Sequence, residues 1–255
     1  MKTLSLYQQR NSIIHKVDPI SKLYYIAAAI LIPIIVPSLT TALLCLTVSI
    51  LLLLLGKVFK KVIPIISFSF VVLLSIIIIQ GLFNKANTTA ALTIGSLTFY
   101  KEGLIYALKI CVKVINIICA FSILILTAKP SDLIEELVRK GLSPKMGYVL
   151  SSVLQIIPQM ISTMDTITDA QRSRGMETEG SFFTRMKAFL PLIVPVVMSS
   201  LVSTKERAMA LEVRGFNSKN NKSFLSEEFH FKYSLILKIV LIGLIILSIL
   251  WRIIS

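Results

Sequence analysis

Hydrophobic residues run through this chain in blocks more often than they alternate. Five stretches are close to unbroken: Leu23 to Pro37, Leu39 to Leu55, Val62 to Leu82, Leu104 to Thr127 and Tyr233 to Trp251. Lipid offers no partner for a backbone N–H or C=O, so a spanning segment must bond within itself. As a helix this takes roughly 20 apolar residues. The last three stretches meet that length. The first two are shorter, the first holds Pro33, and Pro37 and Ser38 leave room for only a tight turn between them. All five are expected to be membrane helices. The first is read as a retained helix and not an export signal, because its small residues Ala27, Ala28 and Ala29 lie near its start.

Between Lys129 and Lys232 the pattern becomes amphipathic and predicts three helices. The first covers about Ser131 to Lys140. Ser131 or Asp132 is expected to cap it, Glu135 and Glu136 come early, Arg139 and Lys140 come late, and Gly141 ends it. Leu133, Ile134, Leu137 and Val138 form its apolar stripe. Two longer helices follow, about Lys145 to Arg174 and Phe182 to Arg214, each on the order of 45 Å long. Both begin apolar and end polar, with bends expected at Pro158, Pro191 and Pro195. Ser151 and Ser152 in one, and Ser199, Ser200 and Ser203 in the other, are small enough to let the two cross closely. The apolar run Ala188 to Val202 approaches spanning length but is expected to stay on the cytoplasmic side.

The expected fold class is therefore an all-α integral membrane protein. It has about five transmembrane helices plus a cytoplasmic region of one short amphipathic helix and two long crossed helices. The corresponding segments are 1–128 (four transmembrane helices), 129–232 (cytoplasmic) and 233–255 (the C-terminal transmembrane helix).

Composition agrees, with 55% of the 255 residues hydrophobic. The net charge of +14 matters through its placement. Lys2, Arg10, Lys16 and Lys22 precede the first apolar stretch, and Lys57, Lys60 and Lys61 follow the second. The segment 84–103 has only Lys85 and Lys101. Cytoplasmic loops are the lysine-rich ones, which puts the N-terminus in the cytoplasm. Residues 129–232 mix 14 basic with 11 acidic side chains, a surface suited to protein partners and not to nucleic acid. Cys45, Cys111 and Cys119 lie in proposed spans at no metal-ligand spacing and are expected to be small apolar fillers. Lys109 and Lys113, with Asn116 next on the same helical face, are expected to snorkel toward headgroups, the alternative being a polar contact with a partner subunit. No phosphate loop, Gly-x-Ser-x-Gly or His-Glu-x-x-His is present, and His15 and His230 sit in polar flanks, so the chain is not expected to be an enzyme. Asp18-Pro19 resembles a turn that starts the first membrane segment.

One pattern occurs twice. Ala170-Gln-Arg-Ser-Arg174-Gly175-Met176 and Ala210-Leu-Glu-Val-Arg214-Gly215-Phe216 both place Ala-x-x-x-Arg-Gly-apolar at the end of a long helix. A glycine just past a helix end with a cation in the last turn is ordinary capping. The apolar residue that follows is expected to fold back toward Ala170 or Ala210. Two matched copies suggest more, because an arginine held at a helix tip presents a fixed fork of donors to a carboxylate on another protein. Two such tips suit two similar partner subunits.

With these motifs in place, the chain resembles the transmembrane T component of energy-coupling factor (ECF) transporters. The paired Ala-Arg-Gly hallmark of that family matches Ser173, Arg174, Gly175 and Val213, Arg214, Gly215. HKVDPISKL, His15 to Leu23, and TAKPSDLIEEL, Thr127 to Leu137, are similar to further family segments. Ser173 and Val213 depart from the usual alanines, and Gln155 stands where an arginine is common. The resemblance implies a non-catalytic scaffold in an ABC importer of vitamins or transition metal ions. The implied partners are two ATPase subunits docked on the Arg-Gly tips and a membrane-embedded substrate-binding subunit, contacted through the coupling-helix stripe Leu133, Ile134, Leu137 and Val138. It implies no cofactor in this chain, with ATP and magnesium held by the ATPases, and a bacterial cell-membrane location. Rival classes are a self-sufficient secondary transporter, which the absence of Asp and Glu from the spans disfavours, and a membrane adaptor without transport.

Overall fold

A computed structural model describes residues 7, 10, 12–84, 89–94, 97–176, 182–218 and 233–254. A short helix α1 (Ile13–Lys16) precedes α2 (Pro19–Ile35), α3 (Leu39–Leu55) and α4 (Phe59–Phe83). An antiparallel hairpin of β1 (Ala90–Ile94) and β2 (Leu97–Tyr100) leads into α5 (Lys101–Thr127). Then come α6 (Pro130–Arg139), α7 (Pro144–Ser173), α8 (Phe182–Val213) and α9 (Ser234–Ile254). The fold is an all-α membrane fold. Among the described residues α4, α5 and α9 are long and apolar enough to cross a bilayer, while α2 and α3 are shorter apolar helices of 17 residues each. The hairpin was not legible from the Thr- and Ala-rich composition of its loop. Phe99 of β2 lies over Gly81, where a Cβ would come within 2.8 Å of the ring, so the glycine makes room for the hairpin against the end of α4.

The chain divides into two compact units, one formed by Ser5–Glu136 with Glu228–Ser255 and the other by the described part of Leu137–Glu227. In the first, α5 is the central helix and packs on α2, α3 and α4, while α9 packs on α2. Leu53, Val58, Val62, Cys119, Ile123 and Leu126 form its main apolar cluster. Cys111 and Cys119 are buried and Cys45 is half-buried, all as free thiols.

The buried amide of Asn116 in α5, at 1% exposure, has a specific task. Pro33 lies inside α2 and has no N–H to donate to the carbonyl four residues back, which is Ala29. Asn116 Nδ2 donates to that carbonyl oxygen at 2.8 Å and replaces the missing bond. Its Oδ1 accepts from Ser49 Oγ of α3 at 2.7 Å, and Ser49 Oγ lies 2.6 Å from Tyr25 Oη of α2. One side chain thus joins three helices and leaves none of these buried groups unpaired.

Helix ends largely follow the sequence signals, with one correction. α6 starts at Pro130, so neither Ser131 nor Asp132 caps it; both lie inside the first turn, with Ser131 Oγ donating to Asp132 Oδ1. Proline suits the first helical position because its missing N–H has no intrahelical partner there anyway. α3 ends in a less usual way. Lys57, not Gly56, takes the left-handed conformation with φ 55°, while Lys57 N and Val58 N donate back to Leu54 O and Leu53 O.

Candidate functional site

The two Arg-Gly sequences end α7 and α8 in the same geometry. Gly175 (φ 82°) and Gly215 (φ 70°) are both left-handed. Gly175 N donates to Arg172 O and Met176 N to Gln171 O; Gly215 N donates to Glu212 O and Phe216 N to Leu211 O. This pair of bonds is the Schellman motif, which satisfies carbonyls left over at a helix end and places the preceding residue at the cap. That residue is Arg174 in α7 and Arg214 in α8. A Cβ at either glycine would meet nothing within 4 Å, so the requirement for glycine is one of backbone conformation and not of space.

Arg174, Gly175, Arg214 and Gly215 are all exposed, and neither arginine side chain has a partner among the described residues. Ser173, in place of alanine, turns its hydroxyl back to Asp169 O at 3.0 Å. Val213 is 89% exposed, so its β-branch meets no crowding within this chain. Phe216 does more than close its own cap. Its ring lies 5.3 Å from that of Tyr148, near the start of α7, and so ties the end of α8 to the neighbouring helix.

A second link, from Arg207 in the last quarter of α8 to Gln159 near the middle of α7, joins the two helices. Tyr148 precedes Gln159 whereas Phe216 follows Arg207, so α7 and α8 cross with opposed chain directions. The two tips therefore lie on opposite sides of the crossing. At 1.5 Å per residue Arg174 is about 22 Å beyond Gln159 and Arg214 about 10 Å beyond Arg207. A shallow cleft at the crossing is lined by Ile156, Gln159, Met160 and Thr163 of α7 and by Ser199, Ser200, Ser203 and Thr204 of α8. The serines of α8 are those expected from sequence. On α7 the cleft is lined from Ile156 onward, and the expected Ser151 and Ser152 lie half-buried between it and Tyr148, which meets Phe216 of α8.

On α6, Ile134 is buried while Leu133, Leu137 and Val138 are half-buried. Its end repeats the cap, with Gly141 at φ 118° and bonds from Gly141 N to Val138 O and Leu142 N to Leu137 O.

The residues of HKVDPISKL build a polar knot that the sequence did not disclose. Asp18 caps α2 by accepting from Ser21 N, and it is only 3% exposed. Lys238 Nζ of α9 lies 2.6 Å from its Oδ2, and Ser234 Oγ donates to its Oδ1 at 2.9 Å. Burial pushes the Asp18 carboxyl up, but hydrogen bonds from Lys238, Ser21 and Ser234 outweigh it and hold the group below its ordinary value. Lys22, equally buried, donates to Thr127 O at the end of α5. His15 Nδ1 pairs with Ser12 Oγ at 2.7 Å. One signal for the knot was available, since Lys238 is a charge just inside a spanning helix and needs an acid. His230 lies outside the described residues. Among the described residues no group of three His, Cys, Asp or Glu side chains is placed to hold a metal ion.

Residues 10–224 match the CbiQ family, described as cobalt transport protein. Curated relatives include the energy-coupling factor transporter transmembrane protein EcfT of Lactococcus lactis, 30% identical over 98% of this chain and 97% of the relative. The protein of the same name in Staphylococcus aureus is 28% identical, with 83% and 82% covered. That of Bacillus selenitireducens is 30% identical, with 82% of each covered. Twin Schellman-capped arginine tips, the apolar helices and these similarities agree: the chain belongs to the CbiQ family as an EcfT-like transmembrane T component of energy-coupling factor transporters.

Proposed function

We propose that this chain couples two cytoplasmic ATPases to a membrane-embedded substrate-binding subunit, in an importer of vitamins or transition metal ions. Arg174 with Ser173 and Gly175 docks on one ATPase, and Arg214 with Val213 and Gly215 docks on the other. The observation that carries this reading is the pair of exposed, unpartnered arginines held in one geometry on opposite sides of a helix crossing. An arginine fork fixed by its backbone loses little freedom on meeting a carboxylate, and arginine is a favoured interface anchor. Closure of the ATPases on ATP moves the tips, and the crossed helices pass that motion to the membrane partner. The large exposed apolar residues of α7 and α8, including Val149, Val153, Val197 and Leu201, offer that partner or lipid a surface. Leu133, Leu137 and Val138, beside the buried Ile134, form the stripe that α6 offers to the same partner. ATP and magnesium belong to the ATPases and this chain holds no cofactor. It sits in the bacterial cell membrane with its N-terminus in the cytoplasm, as the clustered Lys57, Lys60 and Lys61 favour.

Co-purification of the whole complex in mild detergent tests the docking roles. Truncating an anchor of an interfacial charge pair costs about 2 to 5 kcal/mol, so Arg174→Glu combined with Arg214→Glu is expected to release the ATPases. A double variant that retains both ATPases and normal uptake would overturn the reading.

A further inference from the structure

α5 carries two lysines inside the membrane that no described residue neutralises. Lys109 and Lys113 are half-buried and have no partner among the described residues. Apart from Glu102 in the first turn of α5, none of α2, α3, α4, α5 and α9 contains Asp or Glu. Glu102 is engaged with Thr89, accepting from its N–H at 3.2 Å and its hydroxyl at 2.6 Å.

Depth separates a lipid ligand from a protein one. The hairpin end of α5 marks a polar boundary, where Lys101 N bonds to Thr89 O and strand backbone begins; open strand edges do not lie in hydrocarbon. From Lys101, Lys109 is about 12 Å and Lys113 about 18 Å along the helix, in a hydrocarbon layer about 30 Å thick. A lysine side chain reaches about 6 Å, so Lys109 comes close to the headgroup level and Lys113 stays far short of it. At 100° per residue, both lie roughly opposite Ala107 and Cys111, the buried residues of the side on which Cys111 Sγ approaches Leu73 O of α4, and within about 60° of Asn116, nearer the hairpin end along the face by which Asn116 meets α2 and α3. On the lysine side, Ile105 and Tyr106 are exposed. An ammonium near the middle of a bilayer is costly unless an anion meets it there.

We infer that Lys109 and Lys113 form a docking site for a carboxylate on a membrane helix of a partner subunit. The inference rests on the reading that such a partner exists, and it makes this face of α5 part of the contact. Two ammonium groups one turn apart select an acidic helix and fix its depth.

The test compares the complete complex carrying wild-type chain, Lys109→Gln with Lys113→Gln, and Lys109→Arg with Lys113→Arg, purified in mild detergent. The Gln pair is expected to lower retention of the substrate-binding subunit about tenfold or more while both ATPases stay bound; the Arg pair is expected to retain everything. Full retention of the membrane subunit by the Gln pair overturns the inference, including the case in which only co-purifying anionic lipid is lost, which would assign the lysines to phosphate. Loss of ATPases and membrane subunit together from the Gln pair alone overturns it too, since the effect would not be confined to this contact. Absence of ATPases and membrane subunit from the wild-type preparation would instead overturn the proposed function itself.

Discussion

The two units of this chain use charge in opposite ways. Around Asp18 and Asn116 every buried polar group is met by another part of the same chain, over separations of up to 216 residues. In the α7–α8 unit, two arginines are held at helix tips by backbone geometry and left unmatched. A buried unmatched charge would cost several kcal/mol, whereas an exposed one costs little until a partner arrives. The first pattern builds a fixed body; the second keeps binding capacity available. Substitutions in the first should therefore show as lost stability, and substitutions at the tips as lost assembly.

The sharpest way to break this contrast is Asp18→Ala, which strands Lys238 and removes the acceptor of Ser234 Oγ and of the Ser21 N–H at the start of α2. A loss of about 3 to 5 kcal/mol is expected, read as a lowered melting temperature in detergent. The pH dependence has a defined sign. Because the folded Asp18 titrates below its ordinary value of 3.8, its contribution is complete above that value. It is lost as the pH falls through the lower, folded value. Asp18→Asn should remove this acid-sensitive part of the melting curve.

Next in size is Asn116→Ala, which leaves Ala29 O without its donor, removes the Oδ1 acceptor of Ser49 Oγ and opens a gap. The expected cost is about 2 to 3 kcal/mol, with α2 losing amide-exchange protection near Pro33 before α4 does. Gly215→Ala puts a Cβ on a left-handed residue with no clash to relieve, so the cost is backbone strain of about 1 to 2 kcal/mol. It should loosen the last turn of α8 and weaken ATPase retention with little change in melting. A smaller effect of opposite sign is expected from Lys57→Gly, since glycine suits φ 55° better. The gain is about 0.5 to 1 kcal/mol. Smallest of all on stability is Arg174→Glu, within about 0.5 kcal/mol by melting. Melting changes as large at Arg174 as at Asp18 would abolish the distinction between the two units.

Features with a local cause were legible in the sequence. Gly141, Gly175 and Gly215 end α6, α7 and α8 as expected, because a left-handed cap depends on its own residue and a few neighbours. The exposed paired tips were legible too, since the repeat is itself a sequence signal. Long-range pairings were not. Nothing near Asp18 names Lys238, and nothing near Pro33 says that Asn116 repairs its bond.

The bond from Asn116 to Ala29 carries a mechanical consequence. A proline usually gives a helix a place to flex, but here the donor that closes the break is rooted in α5. Tilting one helix away from the other would reopen α2's own backbone to a solvent that cannot hydrate it. The pair is thus bolted together at the proline, so that α2 and α5 move as one piece or not at all.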